Sequence, residues 1–140
     1  MSSKKIQLKI ITPEDIVYDS GDIDEISIPT EAGEITVLPN HSPLVSIIKT
    51  GEIRLKKSGE RLGLAISKGI LEVRPDSQIV ILADRSEHAH DIDVDRAEDA
   101  YGRARDLMMK KEEKTDIDFA RFEVLMEKEL NRVKVAKRWR

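Results

Sequence analysis

The sequence contains no cysteine, and this absence removes several classes of protein at once. Disulfide-stapled folds, thiol catalysis and zinc sites built on thiolates all require it. An excess of one charge is also lacking, because 24 Lys and Arg stand against 27 Asp and Glu, for a formal net charge of −3. A nucleic-acid partner would favour a basic surface, so we expect none.

Long hydrophobic runs are missing as well. No stretch approaches the roughly 20 apolar residues of a membrane span, and the initial Met-Ser-Ser-Lys-Lys leads into no signal-peptide core. The usual phosphate-binding glycine loops are absent, and no nucleophile, base and orienting group can be paired. The composition therefore predicts a soluble intracellular protein, and it makes an enzyme the weakest of the possible classes.

Proline and glycine are distributed unevenly along the chain. Residues 1–84 hold all five prolines and six of the seven glycines, whereas residues 85–140 hold only Gly102. Proline and glycine punctuate turns, while a dense mixed-charge stretch without them favours helices. We therefore predict two domains, residues 1–86 and residues 87–140.

The first domain is predicted to consist of short β-strands. Apolar residues alternate there with other residues, which is the period of a half-buried strand, and turn signals separate the runs. This spacing favours a β-sandwich or barrel. The alternating pairs and triplets are Ile6/Leu8/Ile10, Ile26/Ile28, Ile35/Val37, Ile53/Leu55, Leu62/Leu64/Ile66, Leu71/Val73 and Ile79/Ile81.

The second domain is predicted to be an antiparallel hairpin of two helices. Asp93 can cap the first helix, and Thr115 or Asp116 the second, with the charged run 110–114 leading into the turn. One stripe is rich in alanine and should pack only marginally. The stripes are Val94, Ala97, Ala100, Tyr101, Ala104, Leu107 and Met108 on the first helix, and Phe119, Phe122, Met126, Leu130 and Val133 on the second.

Two histidines and two aspartates near the boundary could suggest a metal site. His88, His90, Asp91 and Asp93 lie close in sequence, but no further ligands are apparent, so solvated linker histidines are the favoured interpretation. We expect no metal site and no catalytic residue.

Basic residues offer two more specific interpretations. From Lys128 to Arg140 there are six basic residues and a single acid, Glu129. This stretch can be a solvated helix end that complements the dipole, or a helix that docks on an acidic protein surface. Separately, Arg96 with Arg103, and Lys128 with Arg132, share helix faces, so a hairpin can bring both pairs toward one polyphosphate.

The segment from Ile28 to Leu44 has the sequence Ile-Pro-Thr-Glu-Ala-Gly-Glu-Ile-Thr-Val-Leu-Pro-Asn-His-Ser-Pro-Leu. Together with Gly51 and the early Thr-Pro-Glu turn at Thr12, this segment resembles the epsilon subunit of F-type ATP synthases. The resemblance extends over essentially the whole chain. Thr36 departs from it, since the family often has glycine there. The resemblance implies an N-terminal β-sandwich and a C-terminal two-helix hairpin.

The resemblance also implies a role and partners. The chain would be a non-catalytic rotor subunit at the cytoplasmic face of the bacterial membrane, peripheral to it, during proton-driven ATP synthesis. Its sandwich would bind the gamma subunit near His41 and the membrane c-ring near Glu34. Its helices would extend into the head of alpha and beta subunits and block ATP hydrolysis. There Arg132, Lys134, Lys137 and Arg138 would meet an acidic segment of beta.

Some bacterial members bind ATP on the folded hairpin through an Ile-Asp-x-x-Arg-Ala motif, and residues 92–97 match it completely. The implied ATP ligands are Glu87, Ile92, Asp93, Arg96, Ala97, Arg103, Lys128 and Arg132. Lys128 replaces an arginine and keeps the charge without the bidentate fork. ATP would act as a regulatory ligand, and no cofactor is required. The alternative to this family is an adaptor unrelated to rotary motors, with a β-sandwich and a coiled-coil arm.

Overall fold

The computed structural model describes residues 4–110 and 115–139. The chain forms two compact units, and the first ends at His88 and the second begins at Ala89. The sequence placed this division after residue 86. The last strand continues to His88, because Glu87 and His88 still pair with Ala65 and Leu64 of the neighbouring strand. Glu87 therefore belongs to the first unit and not to the second.

The first unit is a β-sandwich, as predicted. Its strands are β1 (Ile6–Ile11), β2 (Ile16–Ile23), β3 (Glu25–Thr30), β4 (Gly33–Val37), β5 (Leu44–Ile48), β6 (Gly51–Lys57), β7 (Glu60–Arg74) and β8 (Gln78–His88). The order in the sheet is β2-β1-β8-β7-β5-β3-β4, and β6 pairs with β3 and β7. Of these pairings only that of β1 with β8 is parallel.

The long strand β7 connects the two layers. Its first half pairs with β6 and its second half with β5, while β8 runs antiparallel along most of its length. Because β3 pairs with both β5 and β6, the sheet folds back on itself around one apolar core. The fully buried core side chains include Ile6, Leu8, Ile10, Ile23, Ile26, Ile28, Ile48, Ile53, Leu64, Ile66, Leu71 and Ile81.

Three details of the sandwich differ from the sequence prediction. Leu62–Ile66 and Leu71–Val73 belong to one strand and not two, while β2 and β5 were not predicted. Gly69 interrupts the alternation of apolar residues between the two predicted strands, but it lies within β7. On β5 the exposed residues Val45 and Ile47 are themselves apolar, so the alternation with buried Ile48 is hidden.

The second unit is a hairpin of two helices, α1 (Val94–Met109) and α2 (Asp116–Arg138), after a short 3-10 helix, Ala89–Asp91. Both predicted caps are confirmed: the Arg96 N–H donates to Asp93 Oδ1 at 3.1 Å, and Thr115 forms a capping box with Asp118. The charged run predicted to lead into the turn, 110–114, lies outside the described residues from position 111 onward. Within the described part of the chain, no helix is long and apolar enough to cross a membrane.

The buried face of α2 differs from the predicted stripe. Phe119 and Leu130 are 40% and 39% exposed, whereas Glu129 is only 4% exposed and Val133 is buried. The buried residue at this point of α2 is therefore Glu129, whereas the pattern predicted its neighbour Leu130. On α1 only Ala97 and Ala104 of the predicted stripe are fully buried, so the hairpin buries little apolar area, as the alanine-rich pattern predicts.

The close approach of β7 and β8 gives a test of this architecture. A Cβ atom built on Gly69 would lie 2.4 Å from the Leu82 carbonyl oxygen and 3.1 Å from Ala83 Cα. Since both are backbone atoms that cannot turn aside, Gly69→Ala should lower the free energy of unfolding by about 1–3 kcal/mol. Chemical denaturation followed by the strand circular-dichroism signal measures this loss.

Gly21→Ala is the matched control, because its Cβ would meet only the Gln7 side chain, at 3.5 Å or more. Equal stability of the two variants would contradict the close pairing of β7 with β8 at this position.

Candidate functional site

One cross-strand row of large apolar side chains lies on the outer surface of the sandwich. Paired positions in neighbouring strands point to the same side of a sheet. The register places Ile47 of β5 opposite Ile70 of β7, and Ile70 opposite Leu82 of β8. The row continues to Ile11 of β1 and Ile16 of β2. It thus crosses five neighbouring strands.

This apolar row is accessible rather than packed. Ile47, Ile70, Leu82 and Ile16 are each between 50% and 54% exposed, and Val45, two residues before Ile47, is 71% exposed. Isolated exposed leucines and isoleucines are ordinary, but a contiguous set marks an interaction surface. The row is therefore the strongest candidate for a protein contact on the sandwich.

The loop that carries His41 leads directly into this row. Asn40 has a φ of 65°, in the left-handed region, and its N–H donates to the buried Ser77 hydroxyl at 2.8 Å. His41 Nδ1 donates to the Ser42 carbonyl at 2.7 Å. These bonds fix the loop immediately before β5, so His41 is held at the same end of the sheet as Leu44 and Val45.

A second outward surface, on β3, β4 and β6, is polar. Glu34 pairs with Arg54, the Ser27 and Thr36 hydroxyls are 2.9 Å apart, and Lys56 Nζ lies 3.7 Å from Glu25 Oε1. All three are cross-strand pairs on exposed or half-exposed positions. The two outward surfaces of the sandwich thus differ in chemistry, and the resemblance assigns His41 and Glu34 to different ones.

The four residues near the unit boundary belong to different elements: His88 to β8, His90 and Asp91 to the 3-10 helix, and Asp93 to the cap of α1. His88 belongs to β8, and its ring lies 5.8 Å from that of Tyr18, with Nε2 at 3.4 Å from the Val17 carbonyl oxygen. The linker interpretation of His88 is therefore wrong, because the sheet continues through it. Among the described residues, no group of three or more His, Cys, Asp or Glu side chains is placed to hold a metal ion.

Glu87, predicted among the ATP ligands, lies opposite Ala65 in the sandwich sheet. Its Oε1 is 3.5 Å from Arg85 Nε, and its side chain is 21% exposed. Within the motif that follows, Ile92 and Ala97 are 1% and 0% exposed, so they pack within the fold. The Ile-Asp-x-x-Arg-Ala motif thus has a structural part and a polar part.

The polar part of the motif is Asp93 and Arg96. The Asp93 carboxylate already accepts the Arg96 backbone N–H as the helix cap, while the Arg96 side chain is exposed on α1. One face of α1 therefore carries Arg96 and, two turns later, the exposed Arg103.

An ion pair fixes how the two helices of the hairpin align. Lys137 Nζ lies 2.9 Å from Glu98 Oε1, which joins the start of α1 to the end of α2 and shows that the helices are antiparallel. Counting in opposite directions from this pair places Arg103 at the level of Arg132, to within about one turn. Arg96 lies about 10 Å further along the axis, and Lys128 about 6 Å in the other direction.

Arg132 is partly enclosed, in contrast to the exposed Arg96 and Arg103. Its side chain is 15% exposed, and its Nη1 donates to Oε2 of Glu129 at 2.8 Å. The Glu129 side chain is itself 6% exposed. A buried carboxylate needs such a partner. Arg132 is therefore already engaged by an anion within the hairpin.

Family models match both units. The model "ATP synthase, Delta/Epsilon chain, beta-sandwich domain" matches residues 5–89, and "ATP synthase, Delta/Epsilon chain, long alpha-helix domain" matches residues 90–137. The chain belongs to the ATP synthase epsilon-chain family. Members of this family are non-catalytic stalk subunits of the complex.

Curated relatives agree along nearly the whole chain. An ATP synthase epsilon chain of Bacillus velezensis is 43% identical over 133 residues, which are 95% of this chain and 98% of that protein. One of Desulforamulus reducens is 40% identical over 134 residues, which are 96% and 98% of the two chains.

Solved structures share the fold at low sequence identity. A chain of the Euglena gracilis mitochondrial ATP synthase, solved as OSCP/F1/c-ring, has a TM-score of 0.74 at 20% identity over 89% of this chain and 77% of that one. A chain of the Tetrahymena thermophila mitochondrial ATP synthase central stalk and c-ring has a TM-score of 0.60 at 10% identity, covering 99% and 98%.

Sequence reasoning missed two features of these surfaces. The apolar row joins residues from five strands, and nothing in the linear order aligns them. Glu129 is visible in the sequence as the single acid of a basic stretch, and that exception was the available signal for a buried ion pair.

Proposed function

We propose that the chain is a rotor subunit of the central stalk that couples the catalytic head to the membrane c-ring during proton-driven ATP synthesis. The observation that carries this proposal is the apolar row on the sandwich, together with family membership. A subunit that transmits torque needs a stable contact, and burial of a contiguous apolar surface provides one. The gamma subunit is the partner we assign to this row, with His41 at its edge.

The polar surface suits a different partner. Glu34 and its neighbours on β3, β4 and β6 can meet the polar loops of the c-ring, where charged and hydroxyl groups stay hydrated or exchange partners. This assignment puts the chain at the cytoplasmic face of the bacterial membrane, peripheral to it. Family membership makes the adaptor alternative unnecessary.

The hairpin is proposed to inhibit ATP hydrolysis by changing its packing partner. It buries alanines on α1, and leaves Leu107, Leu125 and Leu130 between 39% and 41% exposed. Its Lys137–Glu98 pair is exposed, and exposed pairs contribute only about 0–1 kcal/mol. Separating the two helices of the hairpin should therefore require little free energy.

The basic end of α2 gives the extended state a partner. In the head of alpha and beta subunits, an acidic segment of a beta subunit can pair with four cations of α2: Arg132, Lys134, Lys137 and Arg138. Lys137 would exchange Glu98 for a carboxylate of that segment. Lys137 would then contribute to both states, and a switch needs two states of similar free energy that a ligand can bias.

ATP is proposed as the ligand that favours the folded hairpin. Arg96, Arg103, Lys128 and Arg132 supply positive charge along about 16 Å of the hairpin, given the alignment of the helices. Asp93 can accept from an exocyclic amine while it caps α1, and the buried Ile92 and Ala97 hold the motif in place. A ligand that binds only the folded state raises its population.

A charge in the apolar row tests the proposed gamma contact. Ile70→Glu places a carboxylate within the row, between Ile47 and Leu82, where a docked partner would remove it from water. We expect at least about a tenfold weaker association with gamma, measured by titration or co-elution. Thr36→Glu, exposed on the polar surface, is the control and should bind gamma as the unchanged chain does. Equal binding by both variants would contradict the assignment.

Removing the hairpin tests the inhibitory role. A chain truncated after residue 90 retains the complete sandwich and should still assemble, whereas ATP hydrolysis by the reconstituted complex should rise severalfold. The full-length variant with Lys134, Lys137 and Arg138 all replaced by Gln should also show relief, because its acidic partner is no longer bound. Unchanged hydrolysis in the truncated complex would show that the hairpin is not inhibitory.

Calorimetric titration of the isolated chain tests ATP binding. Arg96→Ala should weaken binding about tenfold through loss of a charge-assisted contact. Arg105→Ala is the matched control, since Arg105 is exposed on the opposite side of α1 and pairs with Asp106. Asp93→Ser preserves a helix cap while it shortens the acceptor, so it separates capping from ligand contact. Equal ATP affinity in all variants would eliminate the site.

A further inference from the structure

Glu129 lies among the cations that the hairpin offers to a polyphosphate. It follows Lys128 directly and precedes Arg132 by three residues, and it is the single acid between residues 128 and 140 of the sequence. Lys128 and Arg132 carry two positive charges, and Glu129 reduces the net charge of this group to about one. The sequence shows that Glu129 is close to these cations along the chain, and the structure shows that it contacts Arg132.

The contact is short and enclosed. Arg132 Nη1 is 2.8 Å from Glu129 Oε2, and the two side chains are 15% and 6% exposed. Charges interact more strongly where water is excluded, because the effective dielectric is lower. The carboxylate thus offsets much of the field that Arg132 would otherwise direct at a phosphate.

We propose that Glu129 sets the nucleotide affinity of the hairpin, by holding the Arg132 guanidinium as an internal counter-ion in competition with polyphosphate. The proposal rests on the nucleotide binding proposed above and adds a specific determinant to it. A phosphate group that reaches Arg132 meets the Glu129 carboxylate within a few ångströms, and like charges at that distance repel. Affinity is held low, so that the hairpin responds to ATP without being saturated at low concentration.

Replacement of the carboxylate by its neutral isostere tests this competition. Glu129→Gln keeps the shape and one acceptor oxygen, and it removes the negative charge. We expect ATP to bind about tenfold more tightly, measured by calorimetry on the full chain. Inorganic tripolyphosphate should gain by a similar factor, and adenosine should not, because the effect acts on phosphate.

The matched control is Glu127→Gln. Glu127 is exposed on the same helix and adjoins Lys128, so this change alters the net charge of the chain equally. Its ATP affinity should stay within about twofold of that of the unchanged chain. Glu129→Met is the second variant, neutral and of similar length, and it decides the matter if circular dichroism shows that the Gln variant has lost helix.

The outcomes separate the two proposals. The counter-ion role is supported if Glu129→Gln binds ATP more tightly and the ATP affinity of Glu127→Gln is unchanged. It is also supported if only the Glu129 variant binds ATP measurably. Equal or weaker binding by Glu129→Gln, while the unchanged chain binds ATP, overturns the counter-ion role and leaves ATP binding standing. No binding of ATP by any folded variant overturns both.

Discussion

The period-two alternation of the sandwich strands is the constraint on which the rest of the structure depends. Each residue of a strand faces either the core or the outer surface, so the register that buries Ile48, Leu71 and Ile81 also turns Ile47, Ile70 and Leu82 outward. A slip of one residue would exchange the two sets. The long strand β7 fixes this register, because it pairs with β5, β6 and β8 together.

The hairpin is stabilised in a different way. Its apolar contacts on α1 involve small side chains, and the Lys137–Glu98 ion pair defines how the two helices align. An exposed ion pair such as Lys137–Glu98 can be exchanged for a pair with another anion at little net change in free energy, whereas the contacts of a buried apolar core cannot be exchanged in this way. A unit built on packing and a unit built on exchangeable charges suit the different roles proposed for them, stable attachment and regulation.

Much of the fold could be predicted from the sequence, since local patterns determine it. Alternating isoleucines predicted most strands, and the Asp93 and Thr115 caps predicted both helix starts. The rest depends on pairing between distant segments. The apolar row requires the cross-strand register, β5 is hidden because its outward residues are apolar, and the buried position of Glu129 depends on its partner Arg132. For the site, the sequence supplied the cations, and the structure shows that Arg132 already pairs with Glu129.

In the proposed function the sandwich is a fixed attachment, and the hairpin is a separate unit that responds to nucleotide. Hydrogen–deuterium exchange of the full chain, with and without ATP, tests it most directly. We expect ATP to slow amide exchange in residues 94–109 and 116–138, while β1 to β8 exchange at unchanged rates. Slowing spread equally over both units, or none in the helices at saturating ATP, would contradict it.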